Sequence, residues 1–372
     1  MATRFRLFTK RFFIFLNVVL AFFFLLACVA PYLDPENWWF ISFLGLGFPF
    51  LLAGVAVFLV VWLFTRRKLA LISAISLLLG YKSISVLFAF HASAGFTEQK
   101  KQGDLRVVTW NVARFIEMKR NNNQGSRTRL RMMEQLKAID ADVLCLQEFF
   151  HSNAIGWYDN LTYISRQMKY PYYYYSHDDD GDNHFIGNII FSRYPIIDSG
   201  LVRFPRPSLP ETLMHADIVA NGDTMRVYTT HLQSVQLKPT DYKAIDHIKD
   251  GDSGIISNSR AIFSKLRKGI SHRKIQANIV EKVVGDSPYP SILCGDLNDI
   301  PNSYTYYTVR GDKQDVFLKK GFGVGRTFSG ISPTLRIDYI FADNQFAVRQ
   351  VKRDVRNYSD HYMLTCDLQW VK

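Results

Sequence analysis

Three long apolar runs fill the first ninety residues, and so much apolar length in so short a stretch has few places to go other than a bilayer. They are Phe12–Ala30, Trp38–Phe64 and Leu69–Phe90. Each is about as long as the roughly 20 helical residues that cross a hydrocarbon core. Each carries at most one strongly polar side chain, Asn17 in the first and Lys82 in the third. Three transmembrane helices are therefore expected, at about 12–30, 38–64 and 69–90. Between the first two, Pro31 and Pro35 stop a helix, and Trp38 with Trp39 are the kind of residue that anchors at an interface.

Basic residues give the orientation. Arg4, Arg6, Lys10 and Arg11 precede the first run, and Arg66, Arg67 and Lys68 separate the second from the third. The remaining connector holds Asp34 and Glu36 without Lys or Arg. The positive-inside rule then puts the N-terminus and the Arg66–Lys68 loop in the cytoplasm and everything after Phe90 outside. A multi-pass protein of a bacterial cytoplasmic membrane with an extracytoplasmic C-terminal domain is expected. A cleaved signal peptide over Met1–Ala30 is the competing reading, because Leu25–Cys28 resembles a lipoprotein cleavage site. It leaves the Arg66–Lys68 loop inside and the C-terminal part outside.

Beyond the runs the composition becomes that of an ordinary globular domain, so we expect a membrane region over 1–95, a linker over 96–103 and one domain over 104–372. The net charge of +12 would suggest a polyanionic partner, but residues 1–100 hold nine Lys/Arg against three Asp/Glu, which is half of the excess. The large domain is only mildly basic, which speaks against a long nucleic-acid footprint. Cys28 lies in an apolar run, and Cys145, Cys294 and Cys366 each lie in a strand-like run without a CxxC partner. They read as free, small apolar residues rather than as a disulfide framework or a zinc site.

From Leu105 onward strand-like runs alternate with helical ones. Strands are expected at Leu105–Val112, Asp142–Phe149, His184–Arg193, Thr212–Ala220, Thr224–Leu232, Ser291–Leu297, Arg336–Ala342, Phe346–Val351 and Tyr362–Trp370, and helices at Ser126–Ile139 and Ser257–Val284. Hairpin links such as Asn221-Gly222 exclude purely parallel sheets, and an α/β sandwich of two sheets with outer helices fits best. The Tyr-rich run Tyr172–Tyr175 is expected as an exposed strand, His177–His184 as a solvated acidic loop rather than a calcium loop, and residues 236–258 as a loop.

Six apolar runs are bounded at one end by a residue of metal-ligand or acid–base type. These are Asn111 after VVTW, Glu148 after VLCLQ, His231 after VYTT, Asp296 and Asn298 in ILCGDLN, Asp338 before YIF, and Asp360 with His361 before YMLTC. A single Asp at a strand end is most often a turn or helix cap, so the weight lies in the set. Glu148 and Asp360 supply hard oxygens suited to Mg²⁺, which takes one or two protein carboxylates and keeps several waters. His361 with Asp338 forms an acid–base pair, Asp296 can orient or deprotonate a water, and Asn111, Asn298 and His231 can donate hydrogen bonds to a phosphoryl oxygen. Asp296 and Asn298 alternate on an extended chain and so face one way.

The ordered motifs TWN, LQE, THL, GDLND, IDYIF and SDH over residues 104–372 resemble the endonuclease/exonuclease/phosphatase superfamily. The resemblance implies a four-layer α/β sandwich with two mixed sheets. It also implies Mg²⁺ or Mn²⁺ near Glu148 with Asn111 and Asp360 close by, His361 oriented by Asp338, Asp296 at the nucleophilic water, and Asn298 and His231 on the phosphate. One departure stands out: abasic-site endonucleases of that superfamily carry a second acidic residue two positions after TWN, where this chain has Ala113. The expected function is a membrane-anchored, metal-dependent phosphodiesterase acting on nucleic acid or on a phospholipid head group, without an obligate protein partner. A catalytically silent binding module with the same fold is the alternative, and it would have lost catalytic side chains.

Overall fold

The computed structural model describes residues 2–91, 95–205, 211–237, 240–243 and 255–371. Contacts divide the chain into two compact units, Met1–Phe88 with Ile300–Tyr307, and Ala89–Asp299 with Thr308–Lys372.

The first unit is helical: α1 (Ala2–Val29), α2 (Trp39–Leu46), α3 (Phe48–Thr65), α4 (Arg67–Leu79) and α5 (Tyr81–Leu87). Two stretches, Phe5–Tyr32 and Phe48–Thr65, are long and apolar enough to cross a membrane. The second and third expected runs are interrupted. Trp38–Phe64 breaks at Gly47, after which α3 starts with Pro49 in its first turn. Leu69–Phe90 breaks at Gly80, where α4 and α5 meet at 65°, and its last residues form a strand instead. Gly80 accommodates α1: a Cβ there would lie 2.5 Å from the Phe24 ring and 3.1 Å from Cys28 Sγ. A buried polar trio joins three of the helices. Asn17 Nδ2 donates to Ser73 Oγ at 2.9 Å, and Trp62 Nε1 donates to Asn17 Oδ1 at 3.2 Å. Such bonds between helices satisfy polar groups that lipid cannot. Within the same unit Asn302 Nδ2 donates to the Ala27 carbonyl at 2.9 Å.

The second unit is built on two mixed sheets. Its strands are β1 (Ala89–Phe90), β2 (Asp104–Asn111), β3 (Val143–Ser152), β4 (Tyr172–Tyr175), β5 (Asp178–Asp179), β6 (His184–Ser192), β7 (Ile196–Arg203), β8 (Thr212–Ala220) and β9 (Asp223–His231), followed by β10 (Ser291–Asp296), β11 (Gln314–Asp315), β12 (Phe322–Gly323), β13 (Asp338–Ala342), β14 (Phe346–Asp354) and β15 (Met363–Trp370). One sheet runs β14-β15-β2-β3-β6-β4 with β5 also on β6, and the other β11-β13-β10-β9-β8-β7. In each sheet one central pair is parallel, β2 with β3 and β9 with β10. The remaining pairs in the sheets are antiparallel, including the β8–β9 hairpin, whose turn residues Asn221 and Gly222 both have positive φ.

Alternation along the strands sends Val107, Val143 and Cys366 of the first sheet and Val227, Ile292, Cys294 and Ile340 of the second into one shared core. The free thiols of Cys145, Cys294 and Cys366 are part of it. On its outer face the first sheet packs Val108, Trp110 and Leu146 against Met132, Leu136 and Ile139 of α6 (Thr128–Ile139). The long helix Ile255–Gly285 accepts a hydrogen bond from Tyr228 of β9 through the Val283 carbonyl.

Several expectations shift at their edges. The strand expected to stop at Phe149 continues to Ser152, past a register shift between Leu146 and Phe149. Residues of the expected linker are tied to the sheet: Arg106 Nη1 donates to the Glu98 carbonyl, and Lys352 Nζ pairs with Glu98 at 2.9 Å. Tyr172–Tyr175 form an edge strand on β6. In the acidic loop Asp178 is buried against Arg203, and Asp180 lies 3.6 Å from Arg114. Residues 236–258 fall mostly outside the described residues.

Candidate active site

The second sheet aligns three of the expected residues by register alone. Asp296, the last residue of β10, pairs with His231 of β9 on one side and with Asp338 of β13 on the other. Paired residues point to the same face, so the three side chains form a row at the strand ends. Gly295 permits this approach, since a Cβ on it would lie 2.0 Å from the Thr230 carbonyl oxygen. After Asp296 the chain turns sharply: Asn298 has φ +50° and its backbone N–H donates to Asp296 Oδ1 at 2.8 Å.

The first sheet delivers Asn111 at the end of β2 and Glu148 on β3. Asn111 Nδ2 donates to Glu148 Oε1 at 3.2 Å and to Asp296 Oδ2 at 3.1 Å, which links the two sheets. Glu148 does not sit at a strand end. It occupies the irregularity between Leu146 and Phe149 with φ +49°, and this left-handed residue turns its carboxylate out of the regular alternation.

His361 completes the cluster from the turn before β15. Its Nδ1 lies 2.9 Å from Asp338 Oδ2 and its Nε2 3.7 Å from Asp296 Oδ2. His231 Nε2 lies 3.6 Å from the same Asp296 oxygen and 4.0 Å from Glu148 Oε1. One buried carboxylate oxygen thus faces Asn111 and two imidazoles. Burial disfavours a charged His361, but the surrounding charges of Asp338, Asp296 and Asp360 outweigh it and push its pKa up to about 10. Burial raises Asp338 above the usual carboxylate range, against the pull of His361. At neutral pH His361 is therefore an imidazolium with a free Nε2–H end.

Two expected residues take positions other than the simplest reading. Asp360 is exposed; its carboxylate lies 3.2 Å from Ser359 Oγ and, among the described residues, makes no hydrogen bond to Glu148 or Asn111. Asn298 Nδ2 donates to the Leu232 carbonyl at 3.0 Å, so its amide bridges the ends of β9 and β10.

Among the described residues, the ligand-type atoms that converge within 4.8 Å of one another belong to Asp296, Asp338 and His361. That set is committed to an Asp–His pair, and an imidazolium is not a metal ligand. Glu148, about one-third exposed, offers hard oxygens that suit a divalent cation better, and Asn111 turns Nδ2 toward Glu148 and Asp296 while its Oδ1 accepts from the Ala113 N–H at 3.1 Å.

Supporting residues were less legible. Gln147, fully buried, donates to Thr229 Oγ1 at 2.9 Å and also bonds Thr109, so it fastens the first sheet to the second beside Glu148. Ser359 Oγ donates to the Asn111 carbonyl at 2.9 Å and accepts from the His361 N–H at 3.1 Å. Thr327 Oγ1 accepts from the backbone N–H of Asp338 at 3.0 Å. Gln147 and Ser359 stand inside the LQE and SDH motifs, where a polar residue in an apolar run was the available signal; Thr327 carried none.

A profile of the Endonuclease/Exonuclease/phosphatase family matches residues 108–361. Residues 10–87 match a profile described only as a domain of unknown function. No curated protein matches the sequence. Among solved structures, an endonuclease/exonuclease/phosphatase from Beutenbergia cavernae DSM 12333 superimposes with a TM-score of 0.50 at 20% identity, covering 72% of each chain. A humanized D. rerio TDP2 superimposes with a TM-score of 0.50 at 17% identity, covering 72% of this chain and 100% of that one. At these identities the likeness is one of fold.

Proposed function

The chain belongs to the endonuclease/exonuclease/phosphatase family, and on that premise we propose that it is a membrane-anchored, divalent-metal-dependent phosphodiesterase. The observation that carries the reading is Asp296, a buried carboxylate that accepts from Asn111 and faces both His231 and His361. Glu148, with Asn111 and Asp360, would hold Mg²⁺ or Mn²⁺. When bound, the cation neutralises phosphoryl charge and favours attack by water.

The chain's own residues supply the rest. Asp296 orients the attacking water and accepts its proton, a role that typically contributes about 10²–10⁴-fold. His361, kept protonated by Asp338, presents Nε2–H to a phosphoryl or leaving-group oxygen as charge develops there. His231 and Asn298 hold the phosphate. All eight side chains of the expected set are present, which favours turnover over a silent binding module.

The two apolar helices support a membrane anchor. Multi-pass insertion in a bacterial cytoplasmic membrane, with residues 104–372 outside, rests on the basic residues flanking the apolar runs. Tethering raises encounters with bilayer substrates, so a phospholipid head group is the first candidate substrate and nucleic acid the second. The test is a panel of sphingomyelin, phosphoinositide, DNA and RNA offered to the full chain in detergent with Mg²⁺ or Mn²⁺. Turnover of at least one, abolished by EDTA, is expected; inactivity of the folded protein on all four and on bis(p-nitrophenyl) phosphate would favour the binding module.

A further inference from the structure

The long helix Ile255–Gly285 turns one stripe toward the strand ends of the second sheet. Gly269, Arg273 and Gln276 recur at the spacing of one helical face. Arg273 and Gln276 are each only 3% exposed. Polar side chains of that length are rarely buried so fully unless they are bonded.

Their bonds go to the two chain segments that leave β9 and β10. Gln276 Oε1 accepts from the Gln233 N–H at 2.7 Å, and Arg273 Nη1 donates to the Gln233 carbonyl at 3.0 Å. Gln233, two residues after His231, is thus gripped by one helix through both its backbone groups. Arg273 also reaches the other segment, where its Nε lies 3.2 Å from Oδ2 of Asp299, the residue after Asn298. The segments are joined to each other as well: the Leu232 N–H donates to the Asp296 carbonyl at 2.9 Å, and Asn298 Nδ2 to the Leu232 carbonyl at 3.0 Å. The other end of the Gln276 amide is fixed by Glu211, whose Oε2 accepts from Nε2 at 2.6 Å.

Gly269 belongs to the same arrangement. A glycine inside a helix is destabilising relative to alanine, but a Cβ here would lie 3.1 Å from Arg273 Nη1 and 3.7 Å from Val235 Cγ2. The guanidinium and the segment it grips use that space. We propose that Arg273 and Gln276 are positioning residues of the hydrolytic site, fixing the segments on which His231 and Asn298 present their side chains. The proposal rests on the hydrolytic reading above, in which those two side chains hold the phosphate. Arg273 and Gln276 act through the segments rather than on the substrate.

The test compares the full chain in detergent with its Arg273→Lys and Gln276→Met variants, by amide hydrogen exchange and by bis(p-nitrophenyl) phosphate kinetics with Mg²⁺. Lysine keeps the positive charge beside Asp299 but lacks the fork of donors that reaches both segments. Methionine keeps the length of glutamine without its bonds. Both variants should speed exchange at Gln233 and its neighbours while β9 and β10 exchange as in the wild type. In Arg273→Lys, kcat/KM should fall by about 10–100-fold. The fall should be no more than roughly twofold when His231→Ala and Asn298→Ala are already present, because the side chains being positioned are then gone. Wild-type exchange around Gln233 in both variants, wild-type kcat/KM in Arg273→Lys, or an equal fold loss in both backgrounds would overturn the proposal. A wild type without turnover would overturn the hydrolytic reading itself and the functional half of the proposal with it, leaving exchange to report on the grip of the helix alone.

Discussion

His361 Nδ1 is held between the two carboxylate oxygens of Asp338, at 3.1 Å from Oδ1 and 2.9 Å from Oδ2. Both side chains are buried, Asp338 by its place in the β13 row and His361 by the Phe328 ring, whose centroid lies 5.0 Å away. The contact fixes the ring so that Nε2 faces Asp296 and leaves that nitrogen as the functional end.

Removing either partner should therefore affect turnover more than binding. His361→Ala is expected to lower kcat by about 10²–10⁴-fold. Asp338→Asn should lower kcat less, with KM nearly unchanged, because the ring stays in place but loses its preference for the charged form. Steady-state kinetics on bis(p-nitrophenyl) phosphate separates the two.

The same pair makes stability depend on alkaline pH. The unfolded His361 titrates near 6.5 and the folded one near 10, so between these values the native state holds a proton that the unfolded chain has released. The contribution is fully present below pH 6.5 and disappears as pH rises toward 10. Thermal unfolding in EDTA should show a falling melting temperature across this window, flattened in Asp338→Asn.

Gln147 is expected to act on the metal through Glu148. Gln147→Leu removes the bonds to Thr109 and Thr229 that fasten the strand at its irregularity. By analogy with other groups that orient a metal ligand, the Mg²⁺ concentration for half-maximal activity should rise about 10–100-fold. A purely structural role would instead lower activity equally at all Mg²⁺ concentrations.

Arg106 and Asp367 form a buried ion pair at 2.7 Å, each side chain about 1% exposed. Asp367→Asn leaves the guanidinium without its counter-charge and should cost about 3–5 kcal/mol. Activity per folded molecule should be unchanged, since the pair lies at the β2 end opposite Asn111.

The sequence disclosed those features that local chemistry determines. Asn111, His231 and Asp296 terminate apolar strands, and each is brought to the cluster by the parallel pairs β2–β3 and β9–β10. The irregularity at Glu148 was not legible, because LQE reads as continuous alternation and only pairing with β6 reveals the extra residue. The bend at Gly80 was hidden for a related reason. A glycine inside an apolar run is compatible with a straight helix until Phe24 and Cys28 of another segment need the space. The amide of Gln135, buried without a hydrogen-bond partner among the described residues, is likewise a property of tertiary packing.

The most direct test of the central claim is the rate of bis(p-nitrophenyl) phosphate hydrolysis by the full chain and by its Asp296→Asn variant, with Mg²⁺ and with EDTA. The account predicts metal-dependent turnover that EDTA abolishes, and a loss of at least about 10²-fold in a variant that still folds. Asp296→Asn protein retaining wild-type turnover would contradict it.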